Sequence, residues 1–403
     1  MKEVTSVFPR ARIPYGTWGT SFFPAWQTSP LAEVNIAQFA GESAARILGK
    51  RKVPKHTVEY TIIGSTVPWH FKFWNAPMVA HCLGHGTSGF HMEQACATGL
   101  QTVVLAASEV QGASNDVVAV VTFDRCSDSP AGVFPERRTH QRTYTIADVW
   151  DNFGFDPATT KSMITSAGRA AKKHKIDRKM VDELTAYRYE QYFKAKESGF
   201  FKRYIFPLEV LGVSGAPIGV VDDDTGIRKI SLGALREMPE LEPCVTSGGQ
   251  THAADGMAVL LVASAERARE LSPRPEIDIQ LIAKAELKTG PALMPEAPTL
   301  AVQKLLARTG FTLKDMAVVK DHNPFAVNDA IFCKTFDFDF QKMNNNGCSL
   351  VFGHPQGPTL TRVTIEALEE AVDVGGGYVL VFGCAAGDLG IAAIFKVTDG
   401  GGR

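Results

Sequence analysis

The strongest constraint on the fold is a pattern of alternation that occurs twice, once toward each end of the chain. Near the start, Val58–Ile63 and Asp116–Thr122 are short runs rich in β-branched residues, the composition of buried strands. Between them Leu100, Val103, Val104, Ala107 and Val110 recur at helical spacing. Late in the chain Ile277–Ile282, Met316–Lys320, Tyr378–Phe382 and Ile391–Phe395 read as strands, with helices expected near Thr299–Arg308 and Thr359–Val372. The shared element order predicts an α/β protein of two similar halves. The middle breaks the pattern. From Phe123 to about Val245 the composition shifts to Arg, Lys, Asp, Tyr and Phe, with one strongly helical stretch over Ala167–Ser198. A segment of that length does not stay structureless in a compact protein, so a mainly helical insertion covering a site is expected. Met257–Ala263 then returns to the first sheet. The expected division is a first half of 1–122 with 246–270, an inserted domain of 123–245, and a second half of 271–403.

Composition narrows the function classes. Forty-two Lys plus Arg against 43 Asp plus Glu give a net charge of -1, so no global field draws nucleic acid or an anionic membrane. Apolar runs such as Met257–Ala263 and Tyr378–Phe382 are too short to span a bilayer. The opening MKEVTSVFPRAR lacks the apolar core of a secretory signal. Seven cysteines, Cys82, Cys96, Cys126, Cys244, Cys333, Cys348 and Cys384, include no CxxC pair and fit neither a disulfide framework nor a zinc ribbon. A soluble protein of a reducing, cytoplasmic compartment is expected, with no metal.

Five segments carry chemistry. In Gln94-Ala95-Cys96-Ala97-Thr98-Gly99-Leu100 a cysteine stands just before a helix, where backbone N–H groups lower a thiol pKa and favour a nucleophile. The alternative is a buried, inert thiol. Asn344 to Gly357 holds His354 in a glycine and proline turn, which fixes an imidazole rigidly or simply makes a surface turn. Phe382 to Gly390 places Cys384 at a strand end in a glycine-rich hairpin, open to ligand approach or merely buried. Lys320-Asp321-His322-Asn323-Pro324-Phe325-Ala326 packs polar groups after a buried strand, and Ser247 to Gly256 reads equally as a ligand loop or a strand connection.

In this order and spacing the five segments resemble the thiolase family, through essentially the whole chain. Pro9-Arg10-Ala11-Arg12-Ile13-Pro14-Tyr15-Gly16 looks like the family's opening strand and turn, and Cys96 falls at the nucleophile position. Asn346-Gly347 through Gly353-His354-Pro355 is similar to the Asn-Gly and Gly-His-Pro motif, and Cys384 to the cysteine of Cys-x-Gly. The resemblance implies two βαβαβαββ halves in five αβαβα layers with an inserted loop domain, and a homodimer or dimer of dimers. It implies thiolysis of a 3-oxoacyl-CoA by CoA, as in beta-oxidation, or the reverse Claisen condensation. CoA and acyl-CoA are then substrates, and no cofactor is permanently bound. His354 would activate Cys96, and Cys384 would act as acid and then base, with a thiol pKa near neutrality. The backbone N–H groups of Cys96 and Ala386 would form one oxyanion hole, and His322 with His354 the other.

Departures from the family pattern bear on substrate. His322 stands where a water-holding asparagine is usual, and Ser162-Met163 where many relatives have His-Met beside the pantetheine arm. Thr251 replaces a CoA-contacting serine, and Pro295 follows Met294 where glycine is usual; Ser162, Met163, Thr251 and Met294 are the expected CoA contacts. The run Trp69-His70-Phe71-Lys72-Phe73-Trp74, with Phe22, Phe23 and Trp26, is read as an interface or core cluster, or else as an enlarged acyl pocket suited to an aromatic chain such as benzoylsuccinyl-CoA. A ketoacyl-synthase-like condensing enzyme and a non-catalytic acyl-CoA-binding subunit are the alternatives, the first disfavoured by Cys384. A small zinc-binding OB-fold partner protein is compatible with the resemblance.

Overall fold

The β-branched runs of the first half assemble into one mixed sheet. Tyr60–Gly64 lies parallel to both Ser88–Met92 and Val117–Arg125. Asp255–Ser264 runs antiparallel to Val117–Arg125 and also takes Ala11–Arg12 and Trp18–Thr20. The chain therefore does return to its first sheet after the insertion. This computed structural model describes residues 5–84, 86–127, 131–136, 143–148, 151–212 and 214–400, so the first four residues of the opening run lie outside it. The second sheet has the order Ile277–Lys288, Leu389–Asp399, Gly376–Ala385, Met316–His322, with only the last pair parallel.

Between the sheets lie two helices, Thr98–Gln111 and Gln356–Asp373, which pack on each other and on both sheets. Every residue from Gly357 to Val372 is buried, as a helix walled on all sides must be. Ile36–Lys50 and Asn75–Leu83 cover the outer face of the first sheet, and Ala297–Thr309 that of the second, giving five layers. The repeat is incomplete. The segment matching the first half's Ser88–Met92 strand is Asn344 to Gly347, which meets Met316–His322 through a single backbone bond, Asn344 N–H to Val319 O. Asn344, Asn346 and Gly347 have φ of 56, 67 and 115°, a left-handed run that cannot continue as a strand.

The insertion also differs from expectation. Ala167–Ser198 is not one helix but parts of two, Met163–Lys173 and Arg178–Ser198, broken where Lys175 takes φ 49° and Asp177 caps the second. Two antiparallel hairpins accompany them, Ala131–Glu136 with Thr143–Asp148 and Leu208–Leu211 with Pro217–Val221. Buried ion pairs lock the insertion onto the second half. Arg362 on the central helix grips Asp224 with two bonds of 2.8 Å, and Arg188 holds Asp329 at 2.7 Å. Removing one partner of such a pair would leave a buried charge uncompensated, at a cost of about 3–5 kcal/mol. All seven cysteines are free, and no helix among the described residues is long and apolar enough to cross a membrane.

Candidate active site

Two glycines bring the site together. A Cβ on Gly99 would sit 2.5 Å from the Thr361 nitrogen and 2.8 Å from the Gly357 oxygen, and one on Gly357 would sit 3.0 Å from Asp124. Only without those side chains can the two central helices approach at their N-terminal ends. Asp124, fully buried, fixes the junction by accepting from the Gly357, Thr66 and Val67 N–H groups and from the Ser65 and Thr66 hydroxyls. Cys96 precedes the first helix on a tight turn in which Ala95 takes φ 45°, and His354 precedes the second.

The result is a contact between residues 258 positions apart: Cys96 Sγ lies 3.1 Å from His354 Nε2. The tautomer follows from the next bond. Thr359 gives its hydroxyl hydrogen to the Pro355 carbonyl at 2.6 Å, so its oxygen accepts from His354 Nδ1–H at 2.8 Å. The Nε2 lone pair is left facing the thiol. Burial and the backbone amides act in opposite directions on that thiol. Burial pushes Cys96 up to about 12, outweighing the lowering by the Ala386 and Cys96 N–H groups, and burial brings His354 down to about 3. The lowered thiol pKa expected from the helix N-terminus is thus reversed at rest: the pair is a neutral thiol beside a neutral imidazole. The amide donors of Cys96 and Ala386 nonetheless reach the sulfur, next to where the oxygen of an acyl group bound there would lie.

His322 stacks on His354 with ring centroids 4.1 Å apart. Its Nδ1 is 2.8 Å from Ser349 Oγ, while its Nε2 is buried and without a partner. The Ser349 hydroxyl lies within reach of both His322 Nδ1 and Asn323 Oδ1, the latter at 3.2 Å, so the way it turns sets which His322 nitrogen carries the hydrogen: donating to Nδ1 leaves it on Nε2. Cys384 ends its strand, fully buried, with Asn328 Nδ2 at 3.4 Å. Burial, followed by the nearby Cys96, pushes its thiol well above the ordinary value, not toward neutrality as expected. At rest it is a proton donor.

A pocket of about 570 Å³ opens onto this cluster, a size suited to a bound small molecule. Cys96, His354, Ala386, Ser162, Met163, Thr251 and Met294 all line it, so two of the four side chains expected to react, Cys96 and His354, share one cavity with those expected to bind CoA. His322 and Cys384 stand behind its wall. Two expected contacts are already occupied: Ser162 caps the Met163–Lys173 helix through Thr165 N–H at 3.0 Å, and Thr251 gives its hydroxyl hydrogen to the Ser349 carbonyl at 2.5 Å. Pro295 sits in the short turn after Met294, where its carbonyl faces Asn328 Nδ2 at 3.5 Å. None of Phe22, Phe23, Trp26 or Trp69–Trp74 lines the cavity. Trp69 is buried against Asn75, Phe23 packs on Phe352, and Phe71, Phe73 and Trp74 face outward. These aromatics therefore do not enlarge an acyl pocket in the single chain; Thr66, Glu93 and Gln356 are among the residues that line it instead.

Sequence reading missed the residues that orient the chemistry: Thr359, Ser349, Asn328 and Asp124. Thr359 alone left a signal, five residues after His354 in the first turn of the next helix. Among the described residues, Cys96, His322 and His354 also form a group whose donor atoms could hold a metal ion.

Known proteins share this architecture. Family models for the thiolase N-terminal and C-terminal domains match residues 20–266 and 276–397. Human mitochondrial 3-ketoacyl-CoA thiolase is 25% identical over 96% of each chain. Beta-ketothiolase BktB of Cupriavidus necator is 27% identical over 98% of this chain and all of its own, and the acetyl-CoA acetyltransferase of Allochromatium vinosum is 28% identical over 77% and 79%. The crystal structure of the human mitochondrial enzyme superposes with a TM-score of 0.87 at 24% identity, covering 97% of this chain and 100% of that one. The chain belongs to the thiolase family, acyltransferases that cleave or form the carbon–carbon bond of a 3-oxoacyl thioester.

Proposed function

We propose that Cys96 is the nucleophile of this reaction, His354 its base, Cys384 the second acid and base, and His322 a donor to the enolate. In the cleavage direction Cys96 Sγ attacks the 3-oxo carbon as its proton passes to His354 Nε2. Collapse of the tetrahedral oxyanion breaks the carbon–carbon bond, leaving the acyl group on sulfur and an enolate thioester. Cys384 protonates the enolate carbon, later takes the proton of incoming CoA, and the CoA sulfur removes the acyl group from Cys96. The observation that carries this reading is the 3.1 Å approach of Cys96 Sγ to a His354 nitrogen whose tautomer Thr359 sets. The test is intact-mass measurement after incubation with acyl-CoA: an acyl adduct forms and disappears in Cys96→Ser. An adduct persisting in that variant refutes the assignment.

CoA is proposed to lie along Met163, Thr251 and Met294, which share the cavity with the reactive groups; a human relative has been solved in complex with CoA. The division into halves 1–122 with 246–270 and 271–403, with 123–245 inserted, is kept as the domain reading. Ser88–Met92 is an edge strand, and with the exposed Phe71, Phe73, Trp74 and Phe90 nearby it supports a homodimer formed through that edge. A zinc-binding OB-fold partner would find a second apolar surface on the Ala131–Glu136 hairpin, where Val133, Phe134, Tyr144 and Ile146 are exposed. The acyl group follows from thiolysis measured against aliphatic and aromatic 3-oxoacyl-CoA esters, benzoylsuccinyl-CoA among them. A cytoplasmic location remains part of this reading.

A further inference from the structure

Cys96 Sγ and one ring nitrogen from each of His322 and His354 all lie within 4.8 Å of one another. A tetrahedral zinc ion, with Zn–S of about 2.3 Å and Zn–N of about 2.0–2.1 Å, spaces its ligand atoms roughly 3.3–3.6 Å apart. The Cys96 to His354 distance of 3.1 Å is already close to that, and a small movement of His322 completes the triangle. Each imidazole is also held as a metal-bound histidine is held, by a hydrogen bond at its other nitrogen. His354 Nδ1 meets Thr359 Oγ1 and His322 Nδ1 meets Ser349 Oγ, both at 2.8 Å. The Ser349 hydroxyl has an alternative acceptor in Asn323 Oδ1 at 3.2 Å; turned that way it accepts Nδ1–H and leaves the Nε2 lone pair of His322 free. That Nε2 is buried, has no partner, and belongs to a residue that is 0% exposed. Cys96 and His354 line the cavity, so an ion held there would have solvent at hand for a fourth ligand.

We propose that Cys96, His322 and His354 form a binding site for a thiophilic divalent cation such as Zn2+, and that its capture switches the enzyme off reversibly. One bond forms from the metal to each donor, the Cys96 proton leaves to solvent, and no electron is transferred. The nucleophile is then a metal thiolate, unable to attack a carbonyl carbon, and the cation and an acyl group on Cys96 exclude each other. The loss of activity rests on Cys96 being the nucleophile, whereas metal capture does not.

The test uses the full, untagged chain freed of metal with a chelator and titrated with Co2+ as an optical probe. One equivalent should give the ligand-field bands of tetrahedral Co2+ and a sulfur-to-cobalt charge-transfer band, both abolished by Zn2+. Zn2+ should also block alkylation of Cys96 by iodoacetamide, with recovery on adding chelator. Cys96→Ser should remove the charge-transfer band. His322→Asn should weaken Zn2+ binding by at least about 10-fold, the lower end of what even a ligand's supporting partner contributes. A charge-transfer band persisting in Cys96→Ser, parental Zn2+ affinity in His322→Asn, or no tetrahedral spectrum overturns the site. Full binding with undiminished thiolysis would instead overturn the off-switch and Cys96 as nucleophile together. These readouts separate a failure of the metal site from a failure of the acyl-transfer assignment.

Discussion

Replacing Thr359 with valine removes one oxygen and keeps the shape of the side chain. In the parent that oxygen accepts His354 Nδ1–H at 2.8 Å and donates to the Pro355 carbonyl at 2.6 Å. When His354 takes the Cys96 proton it becomes an imidazolium, and the bond to Thr359 becomes charge-assisted, a class that contributes about 1.5–3 kcal/mol. Thr359 is fully buried, so water does not replace the lost acceptor. At about 1.36 kcal/mol per factor of ten, acylation of Cys96 should slow about 10- to 150-fold. The affinity for acyl-CoA should hold, because Thr359 does not line the cavity. Rapid-quench mass spectrometry of the acyl-enzyme under single-turnover conditions reads the acylation step alone. Thr359→Ser, which restores the hydroxyl, should recover most of the rate, and thermal melts establish that both variants are folded at the assay temperature. Acylation of Thr359→Val at the parental rate, or no rescue by serine, would refute the tautomer argument.

Cys384→Ala should keep acyl transfer from an acyl-CoA to Cys96 while losing carbon–carbon cleavage by on the order of 100-fold, the scale of a positioned general acid; equal loss in the two half-reactions counts against a separate acid role. His322→Ala should cost roughly 100- to 1000-fold in turnover through the missing enolate donor, with partial recovery in His322→Asn, where asparagine holds a bridging water. Parental rates in both variants would make that imidazole structural. His354 also links stability to pH, because its pKa falls from the ordinary 6.5 to about 3 in the folded chain. The unfolded chain then binds the proton first, so this contribution to stability is complete above pH ~6.5 and is lost as pH falls toward 3. Between pH 7.5 and 5 the parent should lose about 2 kcal/mol more than His354→Gln in urea unfolding. Identical losses would show that the imidazole is protonated in the folded state.

What the sequence made legible is what local chemistry dictates. Val117–Val121 and Met257–Ala263 are continuous apolar runs because both faces of their sheet are covered, and such runs announce themselves without any partner in view. The placement of Cys96, His354 and Cys384 at the end of a helix or strand was likewise readable, helped at the last two by a preceding glycine. The break in Ala167–Ser198 was harder, because Lys175 and Ile176 carry no helix-breaking side chain and the turn depends on Asp177 capping the Arg178–Ser198 helix. The aromatic run at 69–74 left an interface or core cluster and a pocket wall both open, and only the pocket reading fails, since aromatic density is the same in a cavity wall and on an exposed face. Thr359, Ser349 and Asn328 were invisible for a geometric reason. A hydroxyl or an amide matters here through the one nitrogen or sulfur it meets, and for Ser349 and His322 those partners are 27 positions apart.

The pKa reversal at Cys96 has the same origin and bears on mechanism. A helix N-terminus lowers a thiol pKa where water still solvates the alternative charge, but at Cys96 the opposing desolvation is larger and leaves the thiol near 12. Cys384 is raised and both site histidines are lowered by the same burial, so the four groups proposed to react rest uncharged together. A standing thiolate in such a place would be alkylated or oxidised between turnovers far faster than a neutral thiol is. On the proposed mechanism the charge appears only as the carbonyl carbon is attacked, with the proton moving across the 3.1 Å to His354 in the same step. Negative charge would then pass onto an oxygen bound beside the sulfur that the Cys96 and Ala386 amides already reach. The burial that opposes a resting thiolate thus also strengthens the amide dipoles that receive the charge during attack, which explains why a nucleophile with so high a resting pKa is compatible with catalysis.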